Sequence, residues 1–294
     1  MAWEKNALNE VTIEGILNEV NLQASTNKDG QPVIFGNFTI KTTNTVDGAP
    51  VSTEVPVRVY QKATTNAGKP NPAYENAQRV MNQFTSVAAG GEENATYVQI
   101  TSGNLFENCF VSSNSGNFVS SPAVRASFVN KIKATDVNPC AKFKNIIVIG
   151  KKIPEVDKEG VETGRLIVKG ILPQWGGRVD VIDFIASNKN VINVINNWNE
   201  GDTVCIGGCI NFTSQVDIVD EPNGFGEPIA TRRTRTVREL IITGGHEYPL
   251  TPEEGAYDGA DIGVAIKERT ARIEEMKNNK ETKPAAPKTS SFGF

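Results

Sequence analysis

Residues 51–60 read VSTEVPVRVY. Val51, Val55, Val57 and Val59 alternate with Ser52, Glu54, Pro56, Arg58 and Tyr60. A period of two in apolar character marks a strand with one face buried and one face in water. Working backward, VIFGNFTIKTT (33–43) places Ile34, Phe38 and Ile40 inward, and VTIEGILNEVNLQ (11–23) does the same with Val11, Ile13, Gly15 and Leu17. TNKDGQ and VDGA supply the turns between these runs, so the three strands form a meander. Working forward, PAYENAQRVMNQF (72–84) spaces Tyr74, Ala77, Val80, Met81 and Phe84 as a helix face, with Asn71 as cap and Pro72 in the first turn. TYVQITSGNLFENCF (96–110) returns to strand spacing, and the order is β-β-β-α-β.

The second half repeats that order. FKNIIVIGKKI (143–153), GRLIVKGIL (164–172) and RVDVIDFIA (178–186) are its strands, with DKEG and PQWGG as turns. NVINVINNW (190–198) is its helix, with Trp198 on the core side, and EGDTVCIGGCINF (200–212) closes the unit. Each unit then adds a late basic strand, AVRASFVNKIK (123–133) and RRTRTVRELII (232–242). The expected division is a first unit over 1–122, a second over 123–248, a helical segment over 249–278 and a disordered tail over 279–294. The helical segment carries Ile262, Ile266, Ile273 and Met276 as a stripe behind a Thr251–Glu254 capping box, expected to pack back on the second unit. A length of 294 residues accommodates two such units.

Much chemistry is excluded. The chain has one histidine, His246, so a Ser-His-Asp or Cys-His nucleophile has no support. Cys109, Cys140, Cys205 and Cys209 are scattered through apolar strands without a second close pair, which predicts free buried thiols and no metal. Neither GxxxxGK[ST] nor GxGxxG occurs, so no enzyme activity and no cofactor are expected. No apolar run approaches the roughly 20 residues of a membrane span, and the start lacks a signal peptide's character, so the cytoplasm is the expected location.

A five-stranded barrel with its helix between the third and fourth strands is the OB fold, whose outer face often receives oligonucleotides. NEVTIEGILNEV (9–20), GNFTIKTTN (36–44) and VPVRVY (55–60) resemble the first three strands of the bacterial single-stranded DNA-binding protein family, and GDTVCIGGCINF (201–212) resembles its closing strand. The resemblance spans roughly the first 110 residues and, more loosely, 141–213. It implies a non-enzymatic protein that holds single-stranded DNA during replication, recombination or repair, and the sequence leaves open whether the chain forms an oligomer. That family carries one fold per chain and an acidic, phenylalanine-tipped tail. Two units here and the basic ending KETKPAAPKTSSFGF fit a phage or mobile-element relative working in the bacterial host cytoplasm. Replication or recombination proteins are the partners expected at the tail, where Phe292 and Phe294 are the apolar groups.

Binding a single strand without sequence choice asks for cations along a groove and flat rings for the bases. In the first unit alternation turns Phe35 and Lys41 outward on the second strand and Arg58 and Tyr60 on the third. Arg125, Lys131 and Lys133 are expected to share a strand face. In the second unit Arg165 and Lys169 share a face, Trp175 stands in a two-glycine turn, and Arg178 follows it. The stripe TRRTRTVREL (231–240) reads as a solvent hairpin offering Arg232, Arg233, Arg235 and Arg238 to phosphates, although a basic edge also serves to block aggregation. The formal net charge of −4 does not exclude a basic groove, because carboxylates concentrate elsewhere, notably over 253–275. Two other readings stay open: an OB-like structural component of a virion, and an RNA-binding module.

Overall fold

In the computed structural model, β1 (Asn9–Thr26), β2 (Pro32–Val46) and β3 (Ala49–Lys62) form the expected antiparallel meander. The structure describes residues 8–112, 116–221 and 229–281, apart from the side chains of 214–221, 229–235 and 279–281. Asn27 closes the first turn, its Oδ1 accepting the N–H of Asp29 and Gln31 at 3.0 and 2.9 Å. Asp47 and Gly48 close the second with φ of 49° and 84°, the paired left-handed geometry that suits a two-residue hairpin.

Helix α1 (Pro72–Gln83) begins on Asn71, whose side chain accepts the Ala73 N–H, and buries Ala77 and Val80. After a single turn, α2 (Val87–Gly90), β4 (Tyr97–Val111) pairs antiparallel with β1, and β5 (Phe118–Arg125) pairs antiparallel with β4 and parallel with β3. That closes a five-stranded barrel around Ile13, Leu17, Ile34, Phe38, Ile40, Val57 and Ile100.

The basic run 123–133 is not one strand. Pairing with β4 stops at Arg125 and resumes only over the two residues of β6 (Asn130–Lys131). Ala126 and Val129 are drawn into the core, and the Asn76 amide bonds the Val129 N–H and C=O at 2.9 and 3.0 Å, which holds the backbone out of the ladder. Arg125, Lys131 and Lys133 therefore do not share a face.

The second barrel repeats the first. β7 (Cys140–Val156), β8 (Glu162–Gln174) and β9 (Arg178–Ala186) form its meander, α3 (Lys189–Asn196) follows, and β10 (Thr203–Glu221) and β11 (Ile229–Gly245) close it against β7 and, in parallel, β9. Asp157 caps its first turn as Asn27 does, accepting the Glu159 and Val161 N–H groups, both at 2.9 Å. A bulge interrupts β1–β2 at Leu17/Glu19 and β7–β8 at Ile149/Lys151, with a glycine close by in each strand. A Cβ on Gly15 would lie within 2.4 Å of the Lys41 carbonyl oxygen, so no other residue fits that crossing. Trp198 is buried as its helix spacing predicts, its indole N–H donating to the Glu247 carbonyl at 3.0 Å.

The barrels join where β1 pairs antiparallel with β7, from Asn9↔Asn145 to Glu14↔Cys140, which makes one 11-stranded sheet. Each then lays its second hairpin across the other. Asn44 of β2 donates to the Ile210 carbonyl at 2.7 Å, and Thr53 of β3 donates to the Phe212 carbonyl and accepts the Phe212 N–H at 2.9 and 2.8 Å. In the opposite direction, Gln174 of β8 donates to the Leu105 carbonyl at 3.0 Å, and Asp180 of β9 accepts the Glu107 N–H at 3.0 Å.

Helix α4 (Gly259–Glu281) starts on Asp258, whose carboxylate accepts the Ala260 and Asp261 N–H groups. It packs Ile262 and Ala265, with Ile266 beside them, on Val148, Ile171 and Val179 of the second barrel; of the predicted stripe, Ile273 lies outside this cluster and Met276 is exposed. Arg269 then reaches the first barrel, donating from Nε to Glu107 Oε2 at 2.7 Å and from Nη2 to Oε1. Glu107 is almost fully enclosed. Burial alone would raise its pKa, but hydrogen bonds from Arg269, Ser120 and the Val181 N–H, with the charge of Arg269, together hold it below the ordinary value.

Two stability predictions come from these joints. Thr53→Val keeps the volume but leaves the Phe212 N–H and C=O buried without a partner, so chemical denaturation should show a loss of about 2–3 kcal/mol. Arg269→Ala strands a buried carboxylate and should cost about 3 kcal/mol at neutral pH. Because the folded pKa of Glu107 is lowered, its contribution is present above the carboxylate range and lost as pH falls through it. The difference between wild type and Arg269→Ala should therefore shrink in denaturant titrations run at progressively more acid pH.

Candidate nucleic-acid interface

The outer face of the first barrel is assembled by register. Phe35 of β2 stands opposite Tyr60 of β3, and Asn37 opposite Arg58. Arg58 is level with Arg125 of β5, which is opposite Asn104 of β4. These positions, with Phe106, line a groove of about 630 Å³. Phe35 and Tyr60 are 38% and 58% exposed, a large accessible area for side chains that would otherwise be buried.

Among the described residues no aspartate or glutamate lines this groove. Its two guanidinium groups are oriented by neutral amides: Arg58 donates to Asn108 Oδ1 at 2.5 Å, and Arg125 donates to Gln174 Oε1 at 2.9 Å. Arg125 also lies 5.5 Å above the centre of the Phe106 ring. An amide fixes direction without cancelling charge, although the charge of Arg125 also acts on Asp180 of the second barrel, and Arg58 borders the adjoining pocket that Glu107, Asp180 and Glu275 line.

Gln174 belongs to the second barrel, and Trp175 is the next residue. The turn it occupies, with Gly176 and Gly177 at φ of 79° and 74°, leaves the indole 83% exposed beside the residue that holds Arg125. Arg238 of β11 does not line the groove but meets β5 of the first barrel beyond it. Its guanidinium lies 5.8 Å from the Phe212 ring centre and donates to Ser121 Oγ at 3.4 Å. Ser121 is opposite Asn108, the residue that orients Arg58. The hairpin itself pairs from Ile206↔Gly245 to Glu221↔Ile229 with a register shift at Gly207/Gly208, and the side chains of Arg232, Arg233 and Arg235 on it lie outside the described residues. Phe292 and Phe294 also lie outside them.

Other expected site residues are placed elsewhere. Lys131 pairs at Val98, six residues along β4 from Asn104, or about 20 Å at strand rise, and Lys133 follows it. Lys41 shares the outward alternation of Phe35 but does not line the groove. Arg165 is bracketed by Glu239 at 2.7 Å and Glu155 at 3.3 Å, and Lys169 is paired with Asp183 at 3.0 Å. These two cations are already neutralised. Arg178 is exposed at the foot of the Trp175 turn, opposite Gln174.

Phe106, Asn108 and Gln174 were not legible as site residues. Phe106 and Asn108 fall in a run read only as core strand, and Gln174 acts on the other barrel. The thiols offer no nucleophile: burial, followed by the charge of Glu107, pushes Cys109 up to about 11, and burial raises Cys140, Cys205 and Cys209. Among the described residues no cluster of His, Cys, Asp or Glu is arranged to hold a metal, and no helix is long and apolar enough to cross a membrane.

The architecture has solved counterparts. The wild-type single-stranded DNA-binding protein from Thermus aquaticus superposes with a TM-score of 0.51 at 12% identity, over 86% of this chain and 98% of that one. A deletion mutant of the Thermus aquaticus protein gives 0.49 at 13% identity, over 84% and 98%. At such identity the likeness establishes the paired OB fold. None of the curated proteins matches in sequence. The YorF profile matches residues 7–279, nearly the whole described chain, and this protein belongs to the YorF family.

Proposed function

We propose that this protein binds single-stranded DNA without strong sequence preference, by stacking bases on exposed rings and neutralising phosphates, and that it serves DNA replication, recombination or repair without catalysing a reaction. The observation that carries the proposal is the groove on the first barrel. In a chain with a net charge of −4, Phe35, Tyr60, Arg58 and Arg125 share a groove that no carboxylate among the described residues lines. Rings in strand register suit bases because every base has a flat face, and the arginines beside them suit the backbone that links those bases. Edge readout would instead call for donors and acceptors in a fixed pattern. On this reading Trp175 adds an exposed ring beside the residue that orients Arg125, and Arg238 with Arg232, Arg233 and Arg235 of the hairpin adds cations from the second barrel. The OB architecture, shared with a protein named for single-stranded DNA binding, supports the same class by analogy of fold.

Titration of thymidine oligomers at increasing salt should show affinity falling steeply with ionic strength, with quenching of Trp175 emission. Arg58→Ala with Arg125→Ala should weaken binding to every sequence alike and reduce the salt slope by about 1.4. Arg233→Ala with Arg235→Ala should act in the same sense if the hairpin follows the backbone. Failure of the wild-type protein to bind thymidine oligomers at low salt would overturn the reading.

A further inference from the structure

We infer that one barrel of the pair, the first, supplies the strand-binding face, and that the second barrel's equivalent face is closed by the first barrel's own hairpin. This rests on the binding function proposed above. The two barrels can be overlaid through their closing parallel pairs, Arg58↔Arg125 in the first and Ile185↔Ile241 in the second. Carried along the ladders, Phe35 corresponds to Arg165, Asn37 to Ile167, and Asn104 to Cys209. Where the first face has two amide-held arginines, the second has two isoleucines that are 7% and 5% exposed. Where the first has the Phe35 ring, the second has an arginine already paired with Glu155 and Glu239.

The cause is the unequal length of the crossing hairpins. Asn44 and Gln174 are equivalent amides, each donating to a carbonyl of the other barrel. Past Asn44, six residues (45–50) pass before the chain returns at Val51. Past Gln174, three residues (175–177) pass before it returns at Arg178. The longer tip reaches across the second barrel's face: the Thr45 carbonyl accepts from Cys209 Sγ at 3.8 Å, and Asp47 accepts from Ser187 Oγ at 2.8 Å. Ser187 corresponds to Tyr60, so this tip spans the interval that remains open as the groove on the first barrel. The shorter tip ends just past Gln174, which accepts from Arg125, and leaves Trp175 exposed. The groove is thus lined by the first barrel, with one of its arginines oriented by the second.

The test counts ligands. A thymidine oligomer of about eight nucleotides, within the range one OB fold accommodates, is mixed in excess with the full chain and the complexes are resolved by native mass spectrometry. One oligomer per chain is expected, and two would overturn the inference while leaving the binding function intact. Phe35→Ala with Tyr60→Ala should weaken binding about tenfold or more, whereas Arg165→Gln and Lys169→Ala, each made separately, should leave it within about twofold. Undiminished binding in the first variant, or a tenfold loss in either of the others with an unchanged melting midpoint, would place the strand on the second barrel and refute the assignment. Absence of binding by the wild-type protein overturns the function itself, and this inference with it.

Discussion

The pairing of β1 with β7 is the constraint from which the rest of the architecture follows. A strand that ends a barrel exposes a row of unpaired N–H and C=O groups, and here each barrel covers that row with the first strand of the other. Once the two strands are antiparallel, the hairpins after them must cross the neighbouring barrel. The polar groups they meet are backbone amides and carbonyls of β4 and β10, whose burial requires partners. Asn44, Thr53, Gln174 and Asp180 meet that requirement, two from each side.

The same crossings determine the electrostatics. Gln174 satisfies the Leu105 carbonyl with its amide nitrogen and has its oxygen left to accept from Arg125. Asn44 is in the equivalent position, but its oxygen accepts the Ala141 N–H. One clamp therefore orients a cation at the surface, and the other closes a backbone joint. The contrast between Arg125 and Arg165 has the same character: both are strand arginines on outer faces, yet an amide leaves a guanidinium free to meet phosphate, and a pair of carboxylates does not.

Helix α4 ties the arrangement together from the outside. It is packed on the second barrel through Ile262 and Ala265 and held to the first by Arg269 on Glu107, a carboxylate that also receives Ser120 and the Val181 N–H. Asp180, beside it, has its pKa raised by burial first, with the charge of Glu107 adding to the effect. The single guanidinium of Arg269 is placed where two neighbouring acids of different barrels approach each other. This gives the helix a role in fixing how the barrels sit.

Local pattern determined much of this protein. Alternation in VSTEVPVRVY and its counterparts identified the strands and their inward faces, because side-chain direction in a strand follows from backbone geometry alone. The doubled β-β-β-α-β order, the cap at Asn71, and the outward placement of Phe35, Arg58 and Tyr60 were legible from local sequence, whereas the Thr251–Glu254 box caps a short turn at Pro252–Glu254 and the long helix starts on Asp258. What tertiary structure alone decided was which outward residues meet. Alternation cannot reveal that Asn76 pulls Val129 out of the ladder and parts Lys131 from Arg125, or that Glu239 of β11 joins Glu155 of the paired strand on Arg165. Nor can it place Gln174 against Arg125 on another barrel. Those outcomes depend on where separate strands come to lie, and contacts distant in sequence are set by packing.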